Sequence, residues 1–358
     1  MQALILVGGE GTRLRPLTCN MAKSMVPVLN TPFLEHVIRY LAGHGINDIV
    51  LAQGHLSKPM TDYFQDGGRF GTKIKLVVET SPMGTAGAVK NAEQFLGETF
   101  LVLNGDIFTD LDITAMLQFH RERRSKVTIA LTPVDDPTAY GLIETTSDGR
   151  VTRFMEKPSW EQITTHNVNA GTYILDKEVL KKMPPQTNYS FERQLFPQLL
   201  EEGEPIYGYR SEAYWIDIGT PEKYLQLHRD LMRGEVKGYT LVQGKVVKIG
   251  QGCSIHQQTL IVGPAVIGDG CSISRGVKLF GPVVIGPGNI IAEDALIDSS
   301  ITWQNARFGQ RVNLNGCIVA NDCCLDNGVS AERSVIGDHV TISRYTRLGR
   351  GSRVWPPV

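Results

Sequence analysis

Short apolar runs alternate with helix-period patterns through the first two thirds of the chain. Ala3–Val7, Ile49–Ala52, Ile74–Val78, Phe100–Leu103 and Val127–Leu131 read as strands, while Phe33, Leu34, Val37, Ile38 and Leu41 fall on one helix face. That helix is predicted to start with Thr31 as N-cap and Pro32 in the first turn, and to stop before Gly45. Apolar strands alternating with helices predict an α/β domain, a parallel or mixed sheet covered on both faces, over residues 1–236. Ligands on such sheets sit at the carboxyl ends of the strands.

From about residue 245 the helix pattern stops and a fixed period replaces it. Ile-Gly recurs at Ile249-Gly250, Ile267-Gly268 and Ile285-Gly286; Gly263-Pro264 and Gly281-Pro282 repeat at the same interval, as do Cys253 and Cys271. Eighteen residues are three hexapeptides, one triangular coil of a parallel β-helix, and we assign residues 245–358 to it. The pattern loosens near Phe308-Gly309 and resumes at Ile336-Gly337 and Leu348-Gly349, which predicts irregular turns in the middle coils. A β-sandwich would give no reason for this register.

Composition narrows the function classes. A chain of 358 residues with 42% hydrophobic and 20% charged positions suits two soluble domains. A net charge of −1 supplies no global field for nucleic acid or an anionic membrane, so a polyanionic ligand must be held by local charge. Six cysteines, none in a CxxC pair, argue against zinc and against a disulfide framework. His256 and His339 read as surface turn residues. The first apolar run is short and leads into glycines, so it reads as a strand, and no run reaches the roughly 18 apolar residues of a membrane span. A cytoplasmic location is the resulting expectation.

After the first strand comes Gly8-Gly9-Glu10-Gly11-Thr12-Arg13-Leu14-Arg15-Pro16. Glycines let backbone N–H groups converge on phosphate oxygens, and Arg13 can clamp phosphate with its planar fork. The spacing is neither a dinucleotide fingerprint nor a Walker A motif, and alone it fits a tight turn equally well. Asp106 alone could be a helix cap, Glu156 and Lys157 solvated charges, and Gly84-Thr85-Ala86-Gly87 a strand-to-helix turn.

Taken together and in order, these blocks resemble the nucleoside-diphosphate-sugar pyrophosphorylases. The resemblance runs from Gly8 to Thr18 through Lys23, Val26-Pro27-Val28, Gly84–Gly87, Asn104-Gly105-Asp106, Tyr140-Gly141, Glu156-Lys157-Pro158, Asn169-Ala170-Gly171 and Trp215–Pro221. Within that family the layout is most similar to the mannose-1-phosphate guanylyltransferases. It implies a Rossmann-like mixed-sheet nucleotidyltransferase domain followed by a left-handed parallel β-helix. It also implies the condensation of a nucleoside triphosphate, best GTP, with a hexose-1-phosphate, best mannose-1-phosphate, releasing pyrophosphate. The alternatives are a glucose-1-phosphate thymidylyl-, uridylyl- or adenylyltransferase, or a non-catalytic regulatory subunit of the same fold.

The resemblance also carries roles. Asp106 and Asp217 would hold Mg2+; Arg13 and Lys23 would act on the triphosphate and the reacting phosphates; Gly8, Gly9, Gly11, Thr12, Gly84 and Thr85 would hold the nucleotide. Lys157 would bind the sugar phosphate, and Glu156, Asn169 and the backbone of Gly141 the sugar hydroxyls. Where the family commonly has proline on both sides of its lysine, this chain has Ala22 and Ser24, which predicts a less rigid loop. The β-helix is expected to serve assembly, as a homodimer or homotetramer, and not chemistry.

Overall fold

The computed structural model describes residues 1–54, 58–79, 81–239 and 247–357; residues 245, 246 and Val358 of the expected β-helix lie outside the described residues. Backbone contacts group the chain into two compact units. The first joins Met1–Gly9 to Leu34–Trp215, and the second joins Glu10–Phe33 to Ile216–Val358.

The first unit is built on a sheet of nine described strands: β1 (Gln2–Leu6), β2 (Asp48–Gln53), β3 (Lys73–Val78), β4 (Thr99–Asn104), β5 (Val127–Pro133), β6 (Gly141–Thr145), β7 (Val151–Glu156), β8 (Asn167–Asp176) and β9 (Ile206–Arg210). Their order is β7-β6-β8-β4-β1-β2-β3, with β5 pairing both β8 and β9. β1 runs parallel to β2 and β4, and β2 to β3, whereas β8 is antiparallel to β4, β5 and β6. The sheet is therefore mixed, as expected. Period-two alternation sends Leu4, Val50 and Val102 into a core with Ala86 and Val89 of helix Gly84–Asn91 and with Phe191, Phe196 and Leu199. Ala3, Ile5, Ile49 and Leu51 point the other way and are also fully buried. Burial on both faces explains why these strands read as continuous apolar runs.

The predicted helix spans Phe33–Gly43, and Gly45 follows it at φ 73°. Its expected start is corrected: Thr31–Pro32 pairs antiparallel with Pro27–Val28, so Thr31 is strand and not N-cap.

In the second unit the described strands from Val247 onward stack into three parallel sheets of seven, six and six strands, the architecture of a left-handed parallel β-helix. Val247 pairs with Ala265, and Ala265 with Val283, which is the 18-residue register. Val284, however, pairs with Ile301, and Ile301 with Ile318, so the middle coils are one residue shorter. The missing residue is at a corner, because Phe280 still pairs with Asp298 while the next strand has slipped by one. Gly281-Pro282 fills the longer corner; Ser299, at φ 46°, turns the shorter one alone. Val335 pairs with Arg353, which restores the longer coil. Cys253 and Cys271 stack as expected, each thiol donating at 3.1 Å to a backbone carbonyl, of Gly268 and Gly286 respectively.

Helix Pro221–Arg233 packs on this stack. Thr220 caps it with its hydroxyl facing the Lys223 N–H, Pro221 opens it and Gly234 closes it at φ 76°. The buried Trp303 of the stack donates its indole N–H to the Tyr224 hydroxyl at 3.0 Å, and that hydroxyl donates to the carbonyl of Pro27. His228 accepts the N–H of Leu29 at Nε2 and so carries its proton on Nδ1, which faces the carbonyl of Tyr224. No described helix is long and apolar enough to cross a membrane.

Candidate active site

Strand order reverses beside β1: the chain steps outward through β2 and β3, then returns to lay β4 on the opposite edge of β1. Such a switch leaves a crevice at the carboxyl ends of the two central strands. Leu6 and Asn104 pair there, so the residues that follow, Gly8-Gly9 and Gly105-Asp106, leave the sheet side by side. Gly105 donates its N–H to the Leu6 carbonyl at 2.8 Å. Two buried polar groups end strands of this region without a hydrogen-bond partner among the described residues, Asn104 Oδ1 on β4 and the Gln53 amide on β2. Orphans of this kind are rare in folded chains, and these stand where the fold expects a polar ligand.

A second feature of the same unit is a cavity of about 520 Å³ lined by Gly84, Thr85, Glu156, Asn188, Ser190, Glu192, Arg193 and Gln194. It brings together Thr85 and Glu156, which the resemblance had given to nucleotide and sugar respectively. Glu192 and Arg193 escaped the sequence reading. Glu192 ties the lining together: one carboxylate oxygen accepts from Thr85 Oγ1 at 3.2 Å and Ser190 Oγ at 2.7 Å, the other from Tyr173 at 3.2 Å. The Tyr173 hydroxyl in turn accepts from Asn169 Nδ2 at 2.8 Å. Burial and the nearby Glu192 push the Glu156 carboxyl above its ordinary value, against the pull of Lys157 and Arg193. Glu156 pairs with Gly141 across the β6–β7 ladder, and a Cβ at Gly141 would stand 2.8 Å from the Phe154 ring and 3.1 Å from Glu156 Oε2. Only glycine leaves that approach open. Lys157 follows at φ 50°, exposed, with its N–H on the Tyr140 carbonyl at 2.9 Å.

The second unit holds Gly11, Thr12, Arg13, Lys23 and Asp217. Gly11 adopts φ 61° and starts a tight turn over Thr12–Leu14. Lys23 is buried in the short helical turn Lys23–Met25, closed by the Met25 N–H on the Ala22 carbonyl at 2.8 Å. The turn thus forms without the flanking prolines. Asp217 is also buried; its carboxylate takes the Gly219 N–H at 2.6 Å and the Lys223 ammonium at 2.8 Å. Burial raises its pKa, but Lys223 and Lys23 outweigh burial and hold it below the usual carboxylate value. Arg13 reaches the same point: a Cβ on Gly219 would lie 2.4 Å from Asp217 Oδ1 and 2.7 Å from Arg13 Nη2. One ionised carboxylate therefore sits among three cations, the third of which, Lys223, the sequence reading missed. Its signal was a lysine at the third position of a helix, where the dipole disfavours a cation unless an anion is at hand.

Known proteins share this ground plan. Residues 2–234 match the family model described as nucleotidyl transferase. The chain is 36% identical over 271 residues, 75% of each chain, to a Mycobacterium tuberculosis mannose-1-phosphate guanylyltransferase. It is 33% identical over 333 residues, 88% of this chain and 86% of the other, to a Synechocystis UTP–glucose-1-phosphate uridylyltransferase. Among solved structures, HddC from Yersinia pseudotuberculosis complexed with GMP-PN superposes with a TM-score of 0.55 at 31% identity, covering 63% of this chain and 96% of that one. Since the family match runs through every strand of the mixed sheet and on into the helix after Asp217, the chain belongs to the nucleotidyl transferase family of enzymes.

Proposed function

We propose that the chain is a sugar-1-phosphate nucleotidyltransferase that joins GTP to mannose-1-phosphate with Mg2+ as its metal. The observation that carries the reading is the cluster of Arg13, Lys23 and Lys223 around the ionised Asp217. In the reaction a sugar-phosphate oxygen forms a bond to the α-phosphorus, the α–β phosphoanhydride bond breaks, and pyrophosphate carries away the electron pair. Both reactants are anions, so catalysis is alignment and charge neutralisation, with no covalent nucleophile required. Arg13 and Lys23 hold the triphosphate against the turn of Gly8, Gly9, Gly11 and Thr12. Gly84 and Thr85 meet the base, Lys157 the sugar phosphate, and Gly141, Glu156 and Asn169 the sugar hydroxyls.

The donor set suits a hard cation. Asp217 is kept ionised despite burial, and two carboxylates plus phosphate oxygens are what Mg2+ accepts. Asp106 and Asp217 would hold it, and when bound it supplies charge neutralisation at the reacting phosphate. We assign the protein to the cytoplasm, in keeping with its free cysteines, and to a homodimer or homotetramer formed through the β-helix. Exposed apolar residues on that stack, Ile249, Leu260, Val262 and Ile290, favour a second copy as the partner.

A glucose-1-phosphate uridylyltransferase is the second reading, favoured by the longer alignment to the Synechocystis relative. Pyrophosphate release across GTP, UTP, dTTP and ATP, each paired with mannose- and glucose-1-phosphate and with Mg2+, separates the two. Tenfold preference for another triphosphate overturns GTP; no release from any pair leaves a non-catalytic subunit.

A further inference from the structure

The turn carrying Arg13 leaves two of its carbonyls without local partners. The Gly11 carbonyl accepts from Leu14 N–H and Thr18 Oγ1, that of Thr12 from Arg15 N–H, that of Leu14 from Leu17 N–H, and that of Pro16 from Cys19 N–H. The carbonyls of Arg13 and Arg15 are taken instead by one guanidinium, Arg353 Nη1, at 3.3 and 2.8 Å. Arg353 lies on the last described strand of the β-helix, Arg353–Val354. Other parts of the stack meet the same segment. Asn20 Nδ2 reaches Asp338 at 3.4 Å, Asn30 donates to the Ile285 carbonyl at 2.9 Å, and a Cβ at Gly337 would lie 3.1 Å from Pro16. Segment 10–33 accordingly groups with the β-helix.

We infer that Arg353 is a positioning residue for nucleotidyl transfer: the final coil of the β-helix fixes the backbone turn from which Arg13 projects. A carbonyl that loses its partner turns toward water, and the turn gains conformers that aim Arg13 elsewhere. Arg353 itself reaches no reacting atom in this reading, and its role rests on the assignment of Arg13 to the triphosphate. The inference gives the β-helix a part in chemistry beyond the assembly role first expected of it.

The test uses the full chain with Arg353→Met and Arg353→Lys. Hydrogen exchange of the Leu14, Arg15 and Leu17 amides should quicken in Arg353→Met, and kcat/KM for the triphosphate should fall on the order of tenfold, the scale of one charge-assisted hydrogen bond. KM for the sugar phosphate and the melting temperature should hold, because Arg353 is exposed. Arg353→Lys should recover part of the loss. Wild-type exchange and kinetics in Arg353→Met would overturn the inference. So would a loss shared equally by both substrates together with a lowered melting temperature, the mark of a merely structural contact. If the wild type transfers no nucleotide, the proposed function fails, and unchanged exchange in Arg353→Met would still refute the hold on the turn.

Discussion

Gly219→Ala places a single methyl group where the candidate metal ligand and the candidate phosphate clamp converge. The new Cβ would lie 2.4 Å from Asp217 Oδ1 and 2.7 Å from Arg13 Nη2, about 1 Å inside ordinary contact. Gly219 has no positive φ, so alanine meets no backbone penalty there. The two neighbours yield unequally. Arg13 is exposed and its long chain swings aside at little cost. Asp217 is buried and pinned through both oxygens, by Lys223 at 2.8 Å and by the Gly219 N–H at 2.6 Å, so it must shift by about 1 Å or carry the backbone with it. Crowding of this kind costs ~1–3 kcal/mol of stability. A 1 Å misplacement of a group acting on the reaction costs ~10²-fold in rate. Turnover measured by pyrophosphate release should therefore fall about as far as in Asp217→Ala, where the whole carboxylate is gone and a loss of at least ~10²-fold is expected. A melting curve on each variant separates a dead site from an unfolded one. If Gly219→Ala folds and turns over within threefold of wild type, the carboxylate position is not what the reaction depends on, and the assignment of Asp217 falls.

Four other outcomes are expected. Glu156 has a folded-state pKa above its unfolded value, so its contribution to stability is lost as pH rises through its ionisation; the urea midpoint of Glu156→Gln relative to wild type should therefore rise between pH 4 and 7, and an unchanged difference counts against the burial argument. Ser24 buries a hydroxyl with no hydrogen-bond partner among the described residues, so Ser24→Ala should be neutral or stabilise by ~1 kcal/mol in denaturant titration; clear destabilisation refutes this. Arg13→Lys keeps charge but loses the fork and should lower triphosphate use, while Lys157→Ala should raise KM for sugar phosphate more than for triphosphate; the reverse pattern means the two anion sites are exchanged. Sedimentation of the intact protein should give a mass above 39.5 kDa, and a monomer at micromolar concentration removes the assembly role.

Much of this architecture is legible from residues alone because burial imposes simple periods. Strands covered on both faces must be apolar throughout, and coils that stack must repeat at fixed length. The same logic explains the loss of pattern near Phe308: a corner can be turned by Gly281-Pro282 or by Ser299 alone, and the shorter choice takes one residue from the coil until Val335 pairing with Arg353 restores the longer one. Thr31 was misread because a cap and a strand end share residue types, and only the pairing with Val28 decides between them. Within the site, glycines and aspartates in ordered motifs are visible. Glu192 and Lys223 are not, because each gains its role from a partner distant in sequence or on the facing turn, and Arg193 enters only through its charge near Glu156. Nothing in the string Arg353-Val354 announces that its guanidinium meets a turn 338 and 340 residues upstream.

That separation orders events during synthesis. The turn after β1 is synthesised before the side chain that takes its two open carbonyls, which follows 340 and 338 residues later. At about 5–20 residues per second, on the order of 20–70 s pass between the two. Through that interval the mixed sheet can form from its own strands, while the Arg13 turn waits unsupported. A chain stopped short of Arg353 would be a folded sheet whose Arg13 turn lacks that hold. The hold on the Arg13 turn would then arrive as a single late step, tied to synthesis of the coil that carries Arg353 and not to the folding of the sheet.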